Sequence, residues 1–433
     1  MNELISILSE WNQWWSNGFV SEKFKGHERS YTRKLIDMVK IKEIKILTGV
    51  RRCGKSTLFY QIIDWLIKKN NINPKQILLI NFEDEAIMRF SLEDIINTYL
   101  VHVAKNENVY LFLDEIQQVK NWEKWIRKKY DLKQGFNFFV TGSSATLLEQ
   151  EYSTLLTGRN ITIKIFPLSF KDILTFSGID PDSYMIWSSE THNQSMNILH
   201  QYLNSGGFPE VFFHHNEFSR QILNQYFQDI IYKDIVSRYA VNSFKIKDLA
   251  VFLLTNISNL TSFRALRGNF GFGLNTLKEY INYLENAFLI FQIYYYDYSL
   301  KIQMSNPRKI YAIDNGIRNA VAFKFSQDIG RLIENIVCIE LKQRNKEIWY
   351  FKDDKNREID FIVKDNIEIQ SLIQVAAELE SVKTIKREIS ALEYGLKKFK
   401  IDQGLIITLS KNNLPETPDN IKIVHLIDWL CNE

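Results

Sequence analysis

The stretch Gly49-Val50-Arg51-Arg52-Cys53-Gly54-Lys55-Ser56 decides how the first half of the chain is read. It fits the pattern G-x-x-x-x-G-K-[ST], follows an apolar run at 44–48 and opens a helical pattern at 55–68. Glycines let a backbone curl so that its N–H groups converge on a phosphate, and the N-terminus of the following helix adds positive potential. The stretch predicts a phosphate loop that binds ATP through Gly49, Val50, Arg51, Arg52, Cys53, Gly54, Lys55, Ser56 and Thr57. Lys55 is expected to reach the β- and γ-phosphates and the Ser56 hydroxyl to coordinate Mg²⁺. Two roles stay open for Arg51 and Arg52: touching nucleotide, or bracing the loop against acidic residues such as Glu83 and Asp84.

Downstream lies Val109-Tyr110-Leu111-Phe112-Leu113-Asp114-Glu115. An all-apolar strand belongs at the buried centre of a parallel sheet, and the carboxyl ends of such strands are where ligands sit. Asp114 is expected to hold the Mg²⁺ through water, and Glu115 to polarise the attacking water. A further apolar run ends in Thr141-Gly142-Ser143-Ser144. Ser143 and Ser144 there suit either sensing of the γ-phosphate or capping of the helix expected at 145–156.

Around these motifs, short apolar runs at 44–48, 77–82, 109–114, 137–141 and 161–165 alternate with helical patterns such as 55–68 and 92–104. That alternation is the mark of an α/β domain with a parallel sheet. The pattern turns helical and aromatic from 169 to 241, broken at Gly206-Gly207-Phe208-Pro209. Residues 244–298 read as three helices followed by an aromatic hairpin, the order of a winged helix, with Leu274, Leu277, Ile281 and Leu284 on one stripe of the third helix. The segment 328–433 reads helix (332–343), three strands (348–351, 358–363, 372–376), helix (384–398) and strand (404–409). The expected domains are an ATPase core at 1–168, a helical lid at 169–241, a winged-helix-like domain at 242–327 and a C-terminal α/β domain at 328–433.

Composition sets bounds on this. With 433 residues and 45% hydrophobic content, the chain has enough apolar material for several cores. A formal net charge of +3 neither demands nor excludes nucleic acid, so charge has to be judged locally. Arg264, Arg267 and Lys278, interleaved with Phe263, Phe270 and Phe272, mark a candidate DNA-contacting face in the winged-helix segment, or a face used to pack domains together. Cys53, Cys338 and Cys431 lack CxxC pairing, which argues for free thiols in a reducing compartment. The N-terminal residues do not read as a signal peptide, and the longest apolar run, 287–296, is too short for a bilayer. A soluble, cytoplasmic protein with no membrane partner is expected.

The chain resembles a widespread prokaryotic family of AAA+ ATPases that join an N-terminal ATPase to a C-terminal restriction-endonuclease-like domain. The resemblance rests on the phosphate loop with Thr48, on Asn81-Phe82-Glu83-Asp84 and on Leu113-Asp114-Glu115-Ile116-Gln117. It extends through Thr141-Gly142-Ser143-Ser144, Leu156-Thr157-Gly158-Arg159, Phe166-Pro167-Leu168-Ser169-Phe170, Gly206-Gly207-Phe208-Pro209-Glu210 and Lys309-Ile310-Tyr311-Ala312-Ile313-Asp314. It implies a homo-oligomer, a ring for which a hexamer would fit, acting on DNA or on a protein partner. It also implies that Arg159 is an arginine finger completing a neighbouring subunit's site, a task suited to an always-charged, bidentate guanidinium, the alternative being a plain surface arginine. The C-terminal layout, Glu334 on a helix and Asp360 on a strand, resembles the PD-(D/E)xK nuclease fold. Where that fold carries E-x-K, this chain reads Gln374-Val375-Ala376, so a nuclease-inactive domain is expected.

Overall fold

Five parallel strands carry the phosphate loop: β1 (Ile44–Thr48), β2 (Ile77–Asn81), β3 (Val109–Asp114), β4 (Phe136–Gly142) and β5 (Asn160–Lys164). They lie in the order β2-β3-β4-β1-β5. The computed structural model describes residues 2–105, 108–143, 156, 158–182, 189–214, 217–323, 328–379, 381–410 and 414–432. The chain divides into two units, Met1–Ile165 and Phe166–Glu433. Among the described residues no helix is long and apolar enough to cross a membrane.

In the first unit β1 to β4 are largely apolar on both sides because both faces of the sheet are covered there, whereas the edge strand β5 leaves Thr162 and Lys164 exposed. Ile46, Leu78, Ile80, Leu111, Leu113 and Val140 pack with Leu4 and Leu8 of the N-terminal helix Asn2–Trp11. The opposite face presents Phe112, stacked on Phe139 at 4.7 Å and edge-on to Phe59 of the helix Lys55–Lys68 at 5.1 Å. Asn12 protects the open edge of β2. Its amide donates to the Leu79 carbonyl (2.8 Å) and accepts from the Leu79 N–H (2.7 Å), doing for one residue what a further strand would do. Lys45 is the exception to the apolar rule. It is fully buried in β1, its ammonium bonded to the Ile41 carbonyl and 5.1 Å from the centre of the Phe139 ring.

The register brings the functional ends of the strands to one edge. Thr48 pairs with Gly142 and Lys164, Asn81 with Asp114, and Leu113 with Val140.

The second unit is built on one eight-stranded mixed sheet. Its strands are β6 (Leu260–Thr261), β7 (Ile290–Tyr295), β8 (Arg308–Ala312), β9 (Glu347–Lys352), β10 (Glu358–Asp365), β11 (Glu368–Ala376), β12 (Gly404–Thr408) and β13 (Ile421–His425). Their order is β13-β12-β11-β10-β9-β7-β8-β6. The segments 242–327 and 328–433 therefore share a sheet, joined where Tyr294 and Tyr295 of β7 run parallel to Trp349 and Tyr350 of β9. The helical segment 169–241 belongs to the same unit. Asp314 accepts from the Gly207 N–H (2.7 Å), and Asn319 donates to the carbonyls of Leu203 (3.1 Å) and Asn204 (2.9 Å). Ile359, Ile362, Leu372, Leu392, Leu396 and Ile406 form the core around β10 to β12.

Candidate active site

The site grows from the turn that follows β1. Gly49 has to be glycine because a Cβ there would sit 2.0 Å from the Ile165 carbonyl oxygen. Gly54, at φ +100°, holds the left-handed turn that opens the helix Lys55–Lys68. Between them Cys53 is buried, its thiol 3.4 Å from the same Ile165 carbonyl, and burial pushes the thiol's pKa up, so it packs rather than reacts. Arg51 is ion-paired with Glu83, the bracing role left open by the sequence, whereas Arg52 is exposed with φ 69°.

Lys55 curls back over its own loop. Its ammonium donates to the carbonyls of Gly49 (3.0 Å) and Val50 (3.2 Å) and stands 3.4 Å from Glu115 Oε1. The Ser56 hydroxyl donates to Asp114 Oδ2 at 2.6 Å. Asp114 and Glu115 are both buried, yet their carboxyls differ. Burial, then the charge of Glu115, pushes Asp114 up to about 6. Burial also acts on Glu115, but Lys55 and Arg51 outweigh it and hold that carboxylate below its ordinary value. Adjacent carboxyls are thus set apart by what faces each of them. Glu115 sits in the left-handed region (φ 53°, ψ 45°), a conformation non-glycine residues adopt at a cost and one that turns its side chain toward Lys55.

Three residues that sequence reasoning did not assign to the site support it. Thr141 accepts from the Glu115 N–H (2.9 Å) and bonds Asp114 Oδ1 through its hydroxyl, tying β4 to the end of β3. Gln117 bridges Glu115 Oε2 and Ser143 Oγ, the latter at 3.2 Å. Arg29, just ahead of the helix Ser30–Met38, donates to the Cys53 carbonyl at 3.1 Å. In the sequence Thr141 ends an apolar run and Gln117 follows the Asp114-Glu115 pair by two residues. Arg29 carried no local signal.

The structure brings together the loop from Gly49 to Ser56, with Thr57 in the first turn of its helix, and Asp114, Glu115 and Ser143. Ser144 and the helix expected at 145–156 fall outside the described residues, apart from Leu156. Arg159 lies elsewhere. Its carbonyl accepts from the Ile44 N–H (2.8 Å), at the start of β1, whereas the phosphate loop follows the end of that strand. Five strand residues separate the two edges by about 16 Å, beyond the reach of an arginine side chain. Its guanidinium is held by Asp131 (Nε to Oδ1, 2.8 Å). In the second unit Arg264, Arg267 and Lys278 are all exposed, on the helices Phe263–Phe270 and Leu274–Asn286. The aromatics between them serve packing: Phe270 stacks on Phe272 at 5.4 Å, and Phe272 meets Tyr280 edge-on at 5.6 Å.

Residues 41–174 match the family described as an AAA domain, and residues 196–328 and 329–429 each match a domain of unknown function. Across 405 residues the chain is 33% identical to the uncharacterized protein MJ1544 of Methanocaldococcus jannaschii, covering 91% of this chain and 87% of that protein. It is also 31% identical to an uncharacterized protein of Haemophilus influenzae, over 93% of this chain and 97% of that one. The chain belongs to their family. Its first unit is an AAA-type ATPase domain, the class of nucleotide-binding domain to which the loop and carboxylate pair are suited. Among solved structures it is similar to a Walker-type ATPase of Pyrococcus abyssi, at 13% identity and TM-score 0.41 over 70% of this chain and 97% of that one. It is also similar to the Aeropyrum pernix ORC1 protein, solved in complex with DNA, at 9% identity and TM-score 0.34 over 71% of this chain and 95% of that one.

Proposed function

We propose that this AAA protein is a Mg²⁺-dependent, homo-oligomeric ATP hydrolase that couples hydrolysis to binding and to remodelling or translocation of DNA. The observation that carries the hydrolytic part is the convergence of Lys55, Ser56, Asp114 and Glu115 at one sheet edge, with Glu115 held ionised beside Lys55. Ser56 and Asp114 would hold the Mg²⁺; the hydroxyl and carboxylate already meet at 2.6 Å, a donor set of the hard oxygens that ion requires. Bound there, the ion neutralises charge on the phosphates. The loop N–H groups bind and orient the phosphates, Lys55 exchanges its carbonyl partners for phosphate oxygens, and Glu115 accepts the proton of the attacking water. Gln117 and Ser143 fix the Glu115 carboxylate. Arg159, too far from the phosphate loop of its own chain, serves a neighbour's site as a finger.

In the second unit the order helix (Ser243–Thr255), β6, helix, helix, β7, β8, with β8 between β6 and β7, supports the winged-helix reading. The sequence helix (Ile329–Gln343), β9, β10, β11, helix (Val382–Phe399), β12, with β11 and β12 parallel, supports the restriction-endonuclease-like one. Arg264, Arg267 and Lys278 supply the phosphate contacts to DNA. A second reading, a slow ATP-driven switch acting on a protein partner, is favoured by the contacts of Lys55 with Glu115 and with its own loop carbonyls, which a phosphate has to displace. The ATPase rate with and without single-stranded, duplex and branched DNA separates the two. Stimulation by DNA supports the motor, and slow turnover unchanged by every DNA supports the switch.

A further inference from the structure

The second unit contains a carboxylate cluster that the ATP reading does not use, and the inference drawn from it is independent of that reading. Glu334 comes from the helix Ile329–Gln343, and Glu358 and Asp360 from β10. On the restriction-endonuclease-like reading proposed above, these residues, with Gln374 on β11, occupy the places where a metal-dependent nuclease would hold its ion. At their centre is Lys309 of β8, only 1% exposed. Its ammonium lies 3.0 Å from Glu334 Oε1, 2.7 Å from Glu358 Oε1 and 2.8 Å from Asp360 Oδ1. An ammonium has three N–H donors, and each is matched to a different carboxylate.

Further donors reach the same three carboxylates, one of them on the Glu334 Oε1 that Lys309 also bonds. Tyr311 donates to Glu334 (2.6 Å), Lys352 to Glu358 Oε2 (3.1 Å) and the Val375 N–H to Asp360 Oδ2 (2.9 Å). The Gln374 side-chain oxygen Oε1 accepts from the Asp360 N–H at 3.4 Å. Burial raises Glu334 to about 7, with Lys309 opposing that rise, while the three carboxylates drive Lys309 well above its ordinary value despite burial. The three carboxylates thus favour the charged form of the ammonium.

A Mg²⁺ or Mn²⁺ ion does not fit this arrangement. It needs oxygens at about 2.0–2.2 Å in place of these ammonium distances, and it would stand beside a buried positive charge. Among the described residues no group of three His, Cys, Asp or Glu is arranged to hold a metal. We propose that Lys309 is the resident cation of this site, supplied by the chain itself from β8, so that the second unit takes up no divalent metal there and cuts no nucleic acid. Removing the ammonium leaves three carboxylates around an uncompensated centre and opens the site to a divalent ion. Lys309 and Tyr311 of the Lys309-Ile310-Tyr311-Ala312-Ile313-Asp314 motif thereby acquire a role: they close the carboxylate site.

The test uses the full chain without nucleotide and reads where a metal binds. Fe²⁺ with ascorbate and peroxide cuts the backbone beside a bound ion, and Mn²⁺ affinity is read by electron paramagnetic resonance. Wild type should show no cuts near Glu334 or Asp360 and should leave labelled DNA intact with Mn²⁺. Lys309→Ala should gain cuts at both places and bind Mn²⁺ at least about tenfold tighter than wild type, as expected when a like charge leaves the site. The gain should vanish in Lys309→Ala/Asp360→Asn. Lys309→Met, which keeps the buried stem, replaces the alanine variant if that fails to fold. Cuts at Asp360 in wild type, DNA cleavage abolished by Asp360→Ala, or a folded Lys309 variant that gains no metal would each overturn the proposal. The wild-type measurements decide even if neither variant folds.

Discussion

Replacing Glu115 by glutamine tests the site at the point where charge does most. Lys55 and Glu115 stand 3.4 Å apart and both are buried. Two unit charges at that distance attract by about 5 kcal/mol at an effective dielectric near 20. Most of this offsets the desolvation of the two groups, leaving on the order of 1–2 kcal/mol that holds Lys55 on Glu115 and away from an incoming phosphate. Glutamine has nearly the same shape, leaves the carbonyls of Gly49 and Val50 available to Lys55, and tolerates the left-handed backbone about as well as glutamate.

Glu115→Gln should therefore do two opposite things. Affinity for ATP should rise about 5- to 30-fold, because the competitor for Lys55 has lost its charge. Turnover should fall on the order of 10²-fold or more, because the proton acceptor is gone. Equilibrium titration with ATP reads the first effect and single-turnover hydrolysis the second. Hydrolysis at the wild-type rate would remove Glu115 from the role of base. Unchanged or weaker binding would show that the Lys55–Glu115 contact does not compete with nucleotide.

Other perturbations probe separate parts of the molecule. Arg159→Ala and Glu115→Gln chains, each inactive, should regain activity when mixed into one oligomer, since a mixed interface holds one intact site; a demonstrated mixed oligomer with no activity would rule out a finger in trans. Asp131→Ala breaks only surface ion pairs, with Arg159 (2.8 Å) and Arg127 (3.6 Å), so its melting temperature should stay within about 2 °C of wild type. Burial lowers Lys45 to about 8. The unfolded chain thus binds the proton more tightly between pH 8 and 10.5, and wild-type stability should rise across that window. Lys45→Met should flatten the rise and gain on the order of 1–2 kcal/mol at pH 7 in denaturant unfolding, whereas a loss would mean the Ile41 bond outweighs the buried charge. Neutralising Arg264, Arg267 and Lys278 together should weaken DNA binding across sequences and reduce the dependence of log K on log salt by about 2–3, and an unchanged slope would take DNA off that face.

What was legible in the sequence is what the chain writes locally. A phosphate loop needs its glycines, lysine and serine within eight consecutive residues, and Asp114-Glu115 needs only an apolar strand before it. Both are fixed by backbone geometry that short segments encode, and β1 to β4 of the first sheet follow from apolar runs buried on two faces. The supporting groups are not written that way. Arg29 reaches the Cys53 carbonyl across 24 residues and Asn12 reaches Leu79 across 67, and each contact exists only once helices have packed on the sheet. Lys45 runs against pattern, a charged residue in the middle of a buried strand, where it hydrogen-bonds a carbonyl at the strand's own entrance.

The second unit shows the same limit in its chemistry. Scanning β11 for E-x-K finds Gln374-Val375-Ala376 and concludes correctly that a lysine is missing from that strand. Yet the space beside Asp360 still holds an ammonium, from Lys309, which lies 51 residues earlier and in a segment read as a winged helix. The junction that brings it there is short, a two-residue parallel pairing of β7 with β9, and nothing in the alternation of either strand announces its partner. A buried carboxylate cluster must be compensated by some cation, and the fold does not care from which strand it comes. Motif spacing describes one solution to that electrostatic demand, and here the chain meets the demand by another.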